Sequence, residues 1–453
     1  MPDVEKILQN NSRESCWVVI HNQVYDVTDF LDEHPGGAGI ILRYAGKDAT
    51  AEYAPIHPDG TIEKSLDPSK HLGAVQGPMD FLQPEIRDVK AEDEVQSKDQ
   101  LAPIGTVQNL LDLEKEARKV LAKKGWIYYT SSADSTTSFE RNREDWSRVI
   151  FRPRILRNVA KVNMKRNIMG FDSNLPFFIA PAAMAKLGHE DGELCLTRGA
   201  ARFNIPQVTS NSSSTAHADM AACLAEEHKK GQGGVLFWQL YVPVDKPRAR
   251  ERIEEAKRLG FKALVITVDT AVIGKREEDE RYKAELDHIA GIEIGRTRYV
   301  AGDAAVLRGV HSSTLEWSDI PWLREVWGRE TGPVILKGIQ TAEDAQLAYE
   351  AGVDGIYLSN HGGRQLDHAP SSVRTLLEIR KFYPHLIGKL DIFMDGGIRR
   401  GSDIVKALCL GATAVGLGRP FLYALSAYGT EGVEKAIQCK SLDMLECVLQ
   451  GAY

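Results

Sequence analysis

Gly355-Ile356-Tyr357-Leu358-Ser359-Asn360-His361-Gly362-Gly363-Arg364-Gln365-Leu366-Asp367 carries the reading of this chain. The apolar run from Gly355 to Leu358 predicts a buried strand, and the glycines after it predict a turn. His361 and Arg364 therefore stand where a strand opens into a loop. An arginine fork can hold a carboxylate through two parallel hydrogen bonds. An imidazole beside it can take a proton from the neighbouring hydroxyl or carbon. Taken alone, the same residues also describe a turn with two solvated polar side chains, and the rest of the chain separates the two readings.

Seven further apolar runs resemble the first: Phe177-Ile179, Gln207-Thr209, Val235-Leu240, Ala263-Val268, Val334-Leu336, Ile392-Met394 and Ala414-Leu417. Helical patterns such as Arg248–Leu259, Ala342–Ala351 and Ser402–Leu410 lie between them. Eight strands with helical crossovers over about 250 residues predict an α/β chain with a (β/α)8, or TIM, barrel. A GxGxxG turn, which would favour a dinucleotide fold, is missing. Barrel chemistry gathers just past the C-terminal strand ends. There the chain sets Ala182, Ser210, Gln239 and Tyr241, then Thr267, Asp269 and Arg276, then Lys337, His361 and Arg364. The last two strands run into Asp395-Gly396-Gly397-Ile398-Arg399 and Gly416-Leu417-Gly418-Arg419, turns suited to cradling a phosphate.

Ahead of the barrel stands a smaller unit. Trp17-Val18-Val19-Ile20 and Val24-Tyr25-Asp26-Val27 read as strands joined by a turn at His21-Asn22-Gln23. His34 precedes Pro35-Gly36-Gly37, and His57 follows with apolar, helix-like sequence between. Two such histidines can clamp a haem iron from both sides, leaving it an electron carrier; they also suit two surface histidines beside proline turns. A proline-bracketed polar stretch, 78–105, predicts a linker. After it, Val107, Leu110, Leu113, Ala117 and Leu121 predict an amphipathic helix ended by Gly125. The domains so delimited are 1–77, a small α+β unit, and 106–453, the barrel.

At 453 residues, 43% hydrophobic and 26% charged, the chain suits a multidomain globular protein. A net charge of -7 argues against nucleic acid as a partner. Residues 1–77 carry 12 acidic and 6 basic side chains, a net of -6, which is a solubility surface or a docking face for a basic partner. Six cysteines without CxxC spacing fit a reducing compartment. No apolar run reaches membrane-spanning length, and the acidic Met1-Pro2-Asp3 start is unlike a targeting peptide, so the sequence alone points to the cytoplasm.

Residues 3–77 resemble the cytochrome b5 family through the Trp17 strand, Tyr25-Asp26-Val27-Thr28-Asp29-Phe30, His34-Pro35-Gly36-Gly37 and Ala45-Gly46-Lys47-Asp48-Ala49-Thr50. That resemblance implies haem b with His34 and His57 as iron ligands. From about Gln108 to Lys435, the Ser359–Asp367 motif and the strand ends resemble the FMN-dependent 2-hydroxy-acid dehydrogenases and oxidases. The two domains together are similar to the flavocytochrome b2 family, which implies oxidation of an L-2-hydroxy acid, by default L-lactate, with electrons passing from FMN to haem and on to cytochrome c or a similar one-electron acceptor. The resemblance gives His361 as base and Asp269 as its orienting carboxylate. It gives Arg364, with Arg276 and Tyr128, to the substrate carboxylate and Tyr241 to its hydroxyl. Lys337, Ser210, Gln239, Thr267 and the backbone at Ala182 go to the flavin and ribityl groups, with Asp395 beside them. Gly397, Arg399, Gly418 and Arg419 go to the phosphate. By residue type alone, Tyr128 is equally a core aromatic, and Lys337 equally an ion-pair partner of Asp269 or Asp395.

Three departures from the family stand out. Ser132 replaces a usual glycine, which costs strain if its φ is positive. Ser212 replaces a bulky apolar residue over the substrate side chain, which favours longer or polar 2-hydroxy acids. The C-terminal region is short, which bears on whether the family's homotetramer forms. The stretch Tyr282–Trp317 is expected as a mobile lid. The family address is the mitochondrial intermembrane space. Alternatives to the dehydrogenase are an O2-using oxidase and an inactive haem and flavin carrier.

Overall fold

In a computed structural model of the chain, the described residues are 2–34, 36–83, 100–292, 312 and 314–451. Strands β1 (Trp17–Ile20) and β2 (Gln23–Asp26) pair antiparallel, with Ile20 opposite Gln23. The turn is thus the two residues His21-Asn22, both at positive φ, as a tight hairpin demands. Gln23, expected in the turn, is the first strand residue. β3 (His71–Ala74) pairs along the other edge of β2. One sheet face packs Val18, Ile20 and Tyr25 against the helices between His34 and Leu66. The other packs Val19 and Val24 against Ile7 and Leu82. Leu82, expected in the linker, is fully buried, and its carbonyl accepts from the Asp48 N–H at 2.7 Å. Of the polar run Lys90–Gln100, residues 90–99 lie outside the described residues.

The first barrel-domain helix, Leu110–Val120, starts at a capping box between Asn109 and Asp112. It stops at an extended Leu121 rather than at Gly125. Gly125 lies inside the next helix, Lys123–Thr130, where a Cβ would come within 3.1 Å of the Leu187 carbonyl. Close packing, not chain reversal, explains this glycine.

A hairpin of β4 (Arg166–Ile168) and β5 (Phe171–Ser173) precedes eight parallel strands. These are β6 (Phe177–Ile179), β7 (Pro206–Thr209), β8 (Val235–Leu240), β9 (Leu264–Thr267), β10 (Val334–Ile339), β11 (Gly355–Leu358), β12 (Asp391–Met394) and β13 (Ala414–Leu417). They close into a barrel in chain order, β13 meeting β6. Parallel strands are covered on both faces, so they read as unbroken apolar runs. Alternate residues nevertheless diverge. Phe177, Trp238, Ile266, Leu336 and Leu358 join the layer beneath the helices. Phe178, Val208, Phe237, Val265, Ile335, Tyr357 and Phe393 fill the barrel, capped by Ile168 and Met169 of the hairpin. The pleat then carries the next inward positions to Ser210, Gln239, Thr267, Lys337, Ser359 and Asp395 at the barrel mouth.

The expected lid begins as a helix, Glu277–Ile289. Four acidic residues in its first turn suit the helix dipole, and Tyr282 and Leu286 are buried beside Ile127. Residues 293–311 and 313 lie outside the described residues. No described helix is long and apolar enough to cross a membrane, and all six cysteines are free thiols.

Gly363 has φ +77, and a Cβ there would lie 2.7 Å from the Phe139 backbone. Gly260 has φ +84 with open space around it. Gly363→Ala is therefore expected to lower thermal stability more than Gly260→Ala, the first by about 1–3 kcal/mol or more; equal losses would mean that the close approach is unimportant.

Candidate active site

His361 follows β11 at positive φ (+58), which turns its ring back over the barrel. Its backbone N–H donates to Ser359 Oγ at 3.0 Å, the same oxygen that accepts from Lys337 Nζ at 3.0 Å. The ring's Nδ1 lies 2.9 Å from Asp269 Oδ1, so Nδ1–H donates to that carboxylate. Nε2 is left as an acceptor and lies 3.2 Å from the Tyr241 hydroxyl. Thr270 Oγ donates to the same Asp269 oxygen at 2.9 Å. Burial pushes the His361 pKa down, against the upward pull of Asp269. For Asp269, burial pushes upward, but the His361 and Lys337 charges hold the carboxyl below its usual range. Desolvation favours a neutral imidazole with its lone pair facing the cavity.

Gln365 fixes the strand-end loop behind this pair. Its Nε2 donates to the Asp269 and Val272 carbonyls, both at 2.9 Å, and its Oε1 accepts from the Gly274 N–H at 3.0 Å. Arg364 Nη1 donates to the Tyr128 and Ser131 carbonyls at 2.8 and 3.0 Å, and its guanidinium lies over the Tyr128 ring. Burial and the Arg276 charge push Arg364 down to about 9. Arg276 Nε is buried with no hydrogen-bond partner. Neither arginine has a carboxylate within 4.0 Å among the described residues. Two desolvated cations beside a neutral base form a receptor for an anion.

A cavity of about 2040 Å³ is lined by all the sequence-predicted site residues except Asp269, whose side chain is buried behind His361. Gln239 Nε2 donates to Thr267 Oγ1 at 3.0 Å, while its Oε1 accepts from the Asn211 N–H. Lys337 Nζ lies 3.9 Å from Asp395 and not against Asp269, so the ion pair left open by residue type is with Asp395. Asp395 Oδ1 and Arg399 Nε are buried without hydrogen-bond partners, though Glu114 lies 3.5 Å from that Arg399 nitrogen as an ion-pair partner. Gly397 abuts Asn142, while Gly418 faces open space. Those orphaned polar atoms, with Ser210 and the glycine turns, fit a phosphate-bearing polar cofactor such as FMN. Arg419 is engaged differently. Its guanidinium donates to the Tyr129, Gly362 and Ser131 carbonyls at 2.7–3.0 Å, bracing the mouth. Ser132 is buried and outside the left-handed region, so the expected strain is absent.

The same cavity reaches His34 and His57. Their ring centroids are 6.2 Å apart, which accommodates one metal held by an imidazole nitrogen on each side at about 2 Å. Each Nδ1 faces a backbone carbonyl, Gly37 at 3.3 Å and Tyr53 at 3.2 Å, so each Nε2 is free to ligate. Burial lowers both pKa values, that of His57 to about 4, and the neutral form is the ligating form. Val18, Ile20, Val27, Ile41 and Leu66 supply the apolar lining that a haem requires. The two units touch through Arg43 and Asp287 at 3.5 Å and through an ion pair of Lys124 with Glu52.

Sequence reasoning assigned no role to Thr270, Ser359, Gln365 or Gly338. Ser359 and Gln365 lie in the opening motif, which was a usable signal. Gly338 is needed because a Cβ there would meet Asp269 Cβ at 2.6 Å, a contact that only the closed barrel creates.

Comparisons with known proteins place both units in known families. Residues 117–449 match the FMN-dependent dehydrogenase family, and residues 3–76 match the cytochrome b5-like haem/steroid binding domain. L-lactate dehydrogenase (cytochrome) of Wickerhamomyces anomalus is 40% identical over 441 residues, 96% of this chain and 74% of that protein. Glycolate oxidase 3 of Arabidopsis thaliana is 37% identical over 340 residues, 73% of this chain and 89% of that protein. A solved flavocytochrome b2 double mutant with pyruvate bound superposes with TM-score 0.71 at 35% identity, over 78% of this chain and 86% of that one.

The Asp269 carboxylate raises the His361 pKa, so removing its charge has a definite sign. In Asp269→Asn the imidazole is expected to titrate at still lower pH, measured by NMR on histidine-labelled protein. A midpoint that rises or stays put would contradict the hydrogen-bonded pair.

Proposed function

The chain belongs to the FMN-dependent dehydrogenase family and carries a cytochrome b5-like haem domain ahead of it, and we propose that its site residues oxidise an L-2-hydroxy acid, L-lactate by default, to the 2-oxo acid. Bound FMN supplies the two-electron acceptor, and haem b supplies the one-electron relay to cytochrome c. The observation that carries the reading is the His361–Asp269 pair, its Nε2 facing the Tyr241 hydroxyl and set beside two arginines that have no carboxylate within 4.0 Å among the described residues.

Each residue has a defined task in this reading. Arg364 and Arg276 hold the substrate carboxylate, with Tyr128 beside them, which brings the hydroxyl-bearing carbon under the imidazole. Tyr241 hydrogen-bonds the substrate hydroxyl. His361 Nε2 takes the proton, and Asp269 stabilises the imidazolium that forms. Lys337 sets a fixed positive charge where negative charge develops on reduction. Ser210, Gln239, Thr267, Asp395 and the Ala182 backbone enclose the cofactor's polar edge, and Arg399, Gly397 and Gly418 receive its phosphate, with Arg419 bracing them. His34 and His57 hold the haem iron. A homotetramer would cover the exposed apolar side chains Ile150, Ile155 and Leu156, and the intermembrane space is the address that goes with a cytochrome c acceptor.

Anaerobic mixing of the holoprotein with L-lactate is expected to bleach the flavin and then reduce the haem. Oxygen uptake without haem reduction would favour the oxidase. His361→Gln is expected to slow flavin bleaching by roughly 10²- to 10⁴-fold, and bleaching at the native rate would remove His361 as base. The first 77 residues carry a net of -6, so reduction of basic cytochrome c is expected to slow as ionic strength rises. A rate indifferent to salt would show that this charge does not steer the encounter.

A further inference from the structure

The substrate end of the cavity continues past the residues used above. Going round the mouth from β9 through β8 to β7, the lining passes from Arg276 to Tyr241 and then to Ser212. A substrate whose carboxylate lies on Arg364 and Arg276, with its hydroxyl at Tyr241 and His361, therefore extends its remaining chain toward Ser212. The Ser212 N–H donates to Ser210 Oγ at 3.1 Å, and its small side chain leaves that direction open. Beyond it stands the helix Lys246–Arg258, which follows β8 and so begins at the mouth. Arg248 and Arg252, one turn apart on this helix, both line the cavity.

Arg252 is half-buried, and its Nη1 donates to Asn211 Oδ1 at 3.3 Å. Asn211 is itself pinned, its N–H donating to Gln239 Oε1 at 2.9 Å. Glu251 and Glu255 are near enough to be felt electrostatically, yet no carboxylate among the described residues lies within 4.0 Å of the Arg252 guanidinium. Burial and the Arg248 charge accordingly lower its pKa. A partly desolvated guanidinium, held by a neutral amide and facing a cavity, is short of an anion.

We propose that Arg252, supported by Arg248 and Asn211, forms a second anion subsite, and that 2-hydroxy acids carrying a distal carboxylate are preferred substrates of this chain. The proposal rests on the 2-hydroxy-acid reading above and deepens it by naming the substrate class. The distal group takes no part in the chemistry. The subsite acts through binding, by pairing a charge that a neutral side chain leaves unpaired.

The test uses the holoprotein and two probes of equal chain length, L-2-hydroxyglutarate and L-2-hydroxypentanoate, with L-lactate as reference. The expected result is a kcat/KM for flavin reduction that favours the dicarboxylate by roughly 10- to 100-fold, the worth of one charge-assisted hydrogen bond. In Arg252→Gln that ratio is expected to fall toward unity. Calorimetric titration with 2-oxoglutarate and 2-oxopentanoate reads the same preference without turnover. Equal handling of the two probes, or a ratio unchanged in Arg252→Gln, would overturn the subsite while flavin reduction by L-lactate keeps the 2-hydroxy-acid reading. If no hydroxy acid reduces the flavin, that reading fails. The calorimetric preference and its loss in Arg252→Gln then decide the anion subsite alone.

Discussion

An imidazole sealed into a barrel mouth loses proton affinity, and a carboxylate sealed in with it restores part of what burial takes. The hydrogen bond from His361 Nδ1 to Asp269 supplies that carboxylate, and much of the site's local geometry follows from making it. The two residues follow β11 and β9, so they must meet across the end of β10. That is possible because residue 338, at the register shift between Lys337 and Ile339 in the β10–β11 pairing, is glycine with φ +108. A methyl group there would stand where Asp269 stands. The positive φ of His361, the Ser359 hydroxyl under its backbone and the Gln365 amide behind Asp269 then remove the remaining freedoms. Preorganisation of this kind lets a pair of side chains act without rearranging when charge moves.

The polar layer of the mouth is a consequence of the strand period. Each barrel strand spends its inward positions first on an apolar residue in the core and then, two residues on, on a residue at the mouth. Val208 leads to Ser210, Phe237 to Gln239, Val265 to Thr267, Ile335 to Lys337, Tyr357 to Ser359 and Phe393 to Asp395. The ring contacts of Phe178 with Tyr357 and Phe393 hold the lower layer rigid, and the upper layer inherits its positions. Lys337 can stay 4% exposed because this floor is fixed and Ser359 and Asp395 face its ammonium.

The same period explains how much was legible in the sequence. The strands and the residues at their ends were readable because local apolar runs and glycine turns mark them. Supporting residues were not: Thr270, Gln365 and Gly338 matter through partners on other strands, and no local pattern announces such a partner. Errors of element type have the same origin. Gly125 reads as a helix stop until the Leu187 carbonyl is seen against it, and Leu82 reads as linker until it is seen closing the small sheet. The Tyr282 region reads as a lid from the glycine- and arginine-rich run after it, which masks the helical pattern of Glu277–Ile289.

Charge is distributed so that the two units hold each other and the cavity between them still favours anions. Residues 1–77 hold nearly all of the chain's net charge of -7. The barrel mouth collects Arg276, Lys337, Arg364, Arg399 and Arg419 around one cavity. Burial makes each of those cations costly unless an anion answers it, and among the described residues carboxylates answer only some: Asp395 for Lys337, and Glu114, 3.5 Å away, for Arg399. Across the interface, Glu52 answers Lys124 and Asp287 answers Arg43, and the buried Arg43 leaves Nε and Nη1 without hydrogen bonds. By the described residues alone, the mouth is thus under-neutralised. In the proposed reading, that deficit would be met by what binds: a cofactor phosphate at the β12 and β13 turns and a substrate carboxylate at Arg364. The affinity for anionic ligands is in this sense stored in the fold, as positive charge desolvated before any ligand arrives.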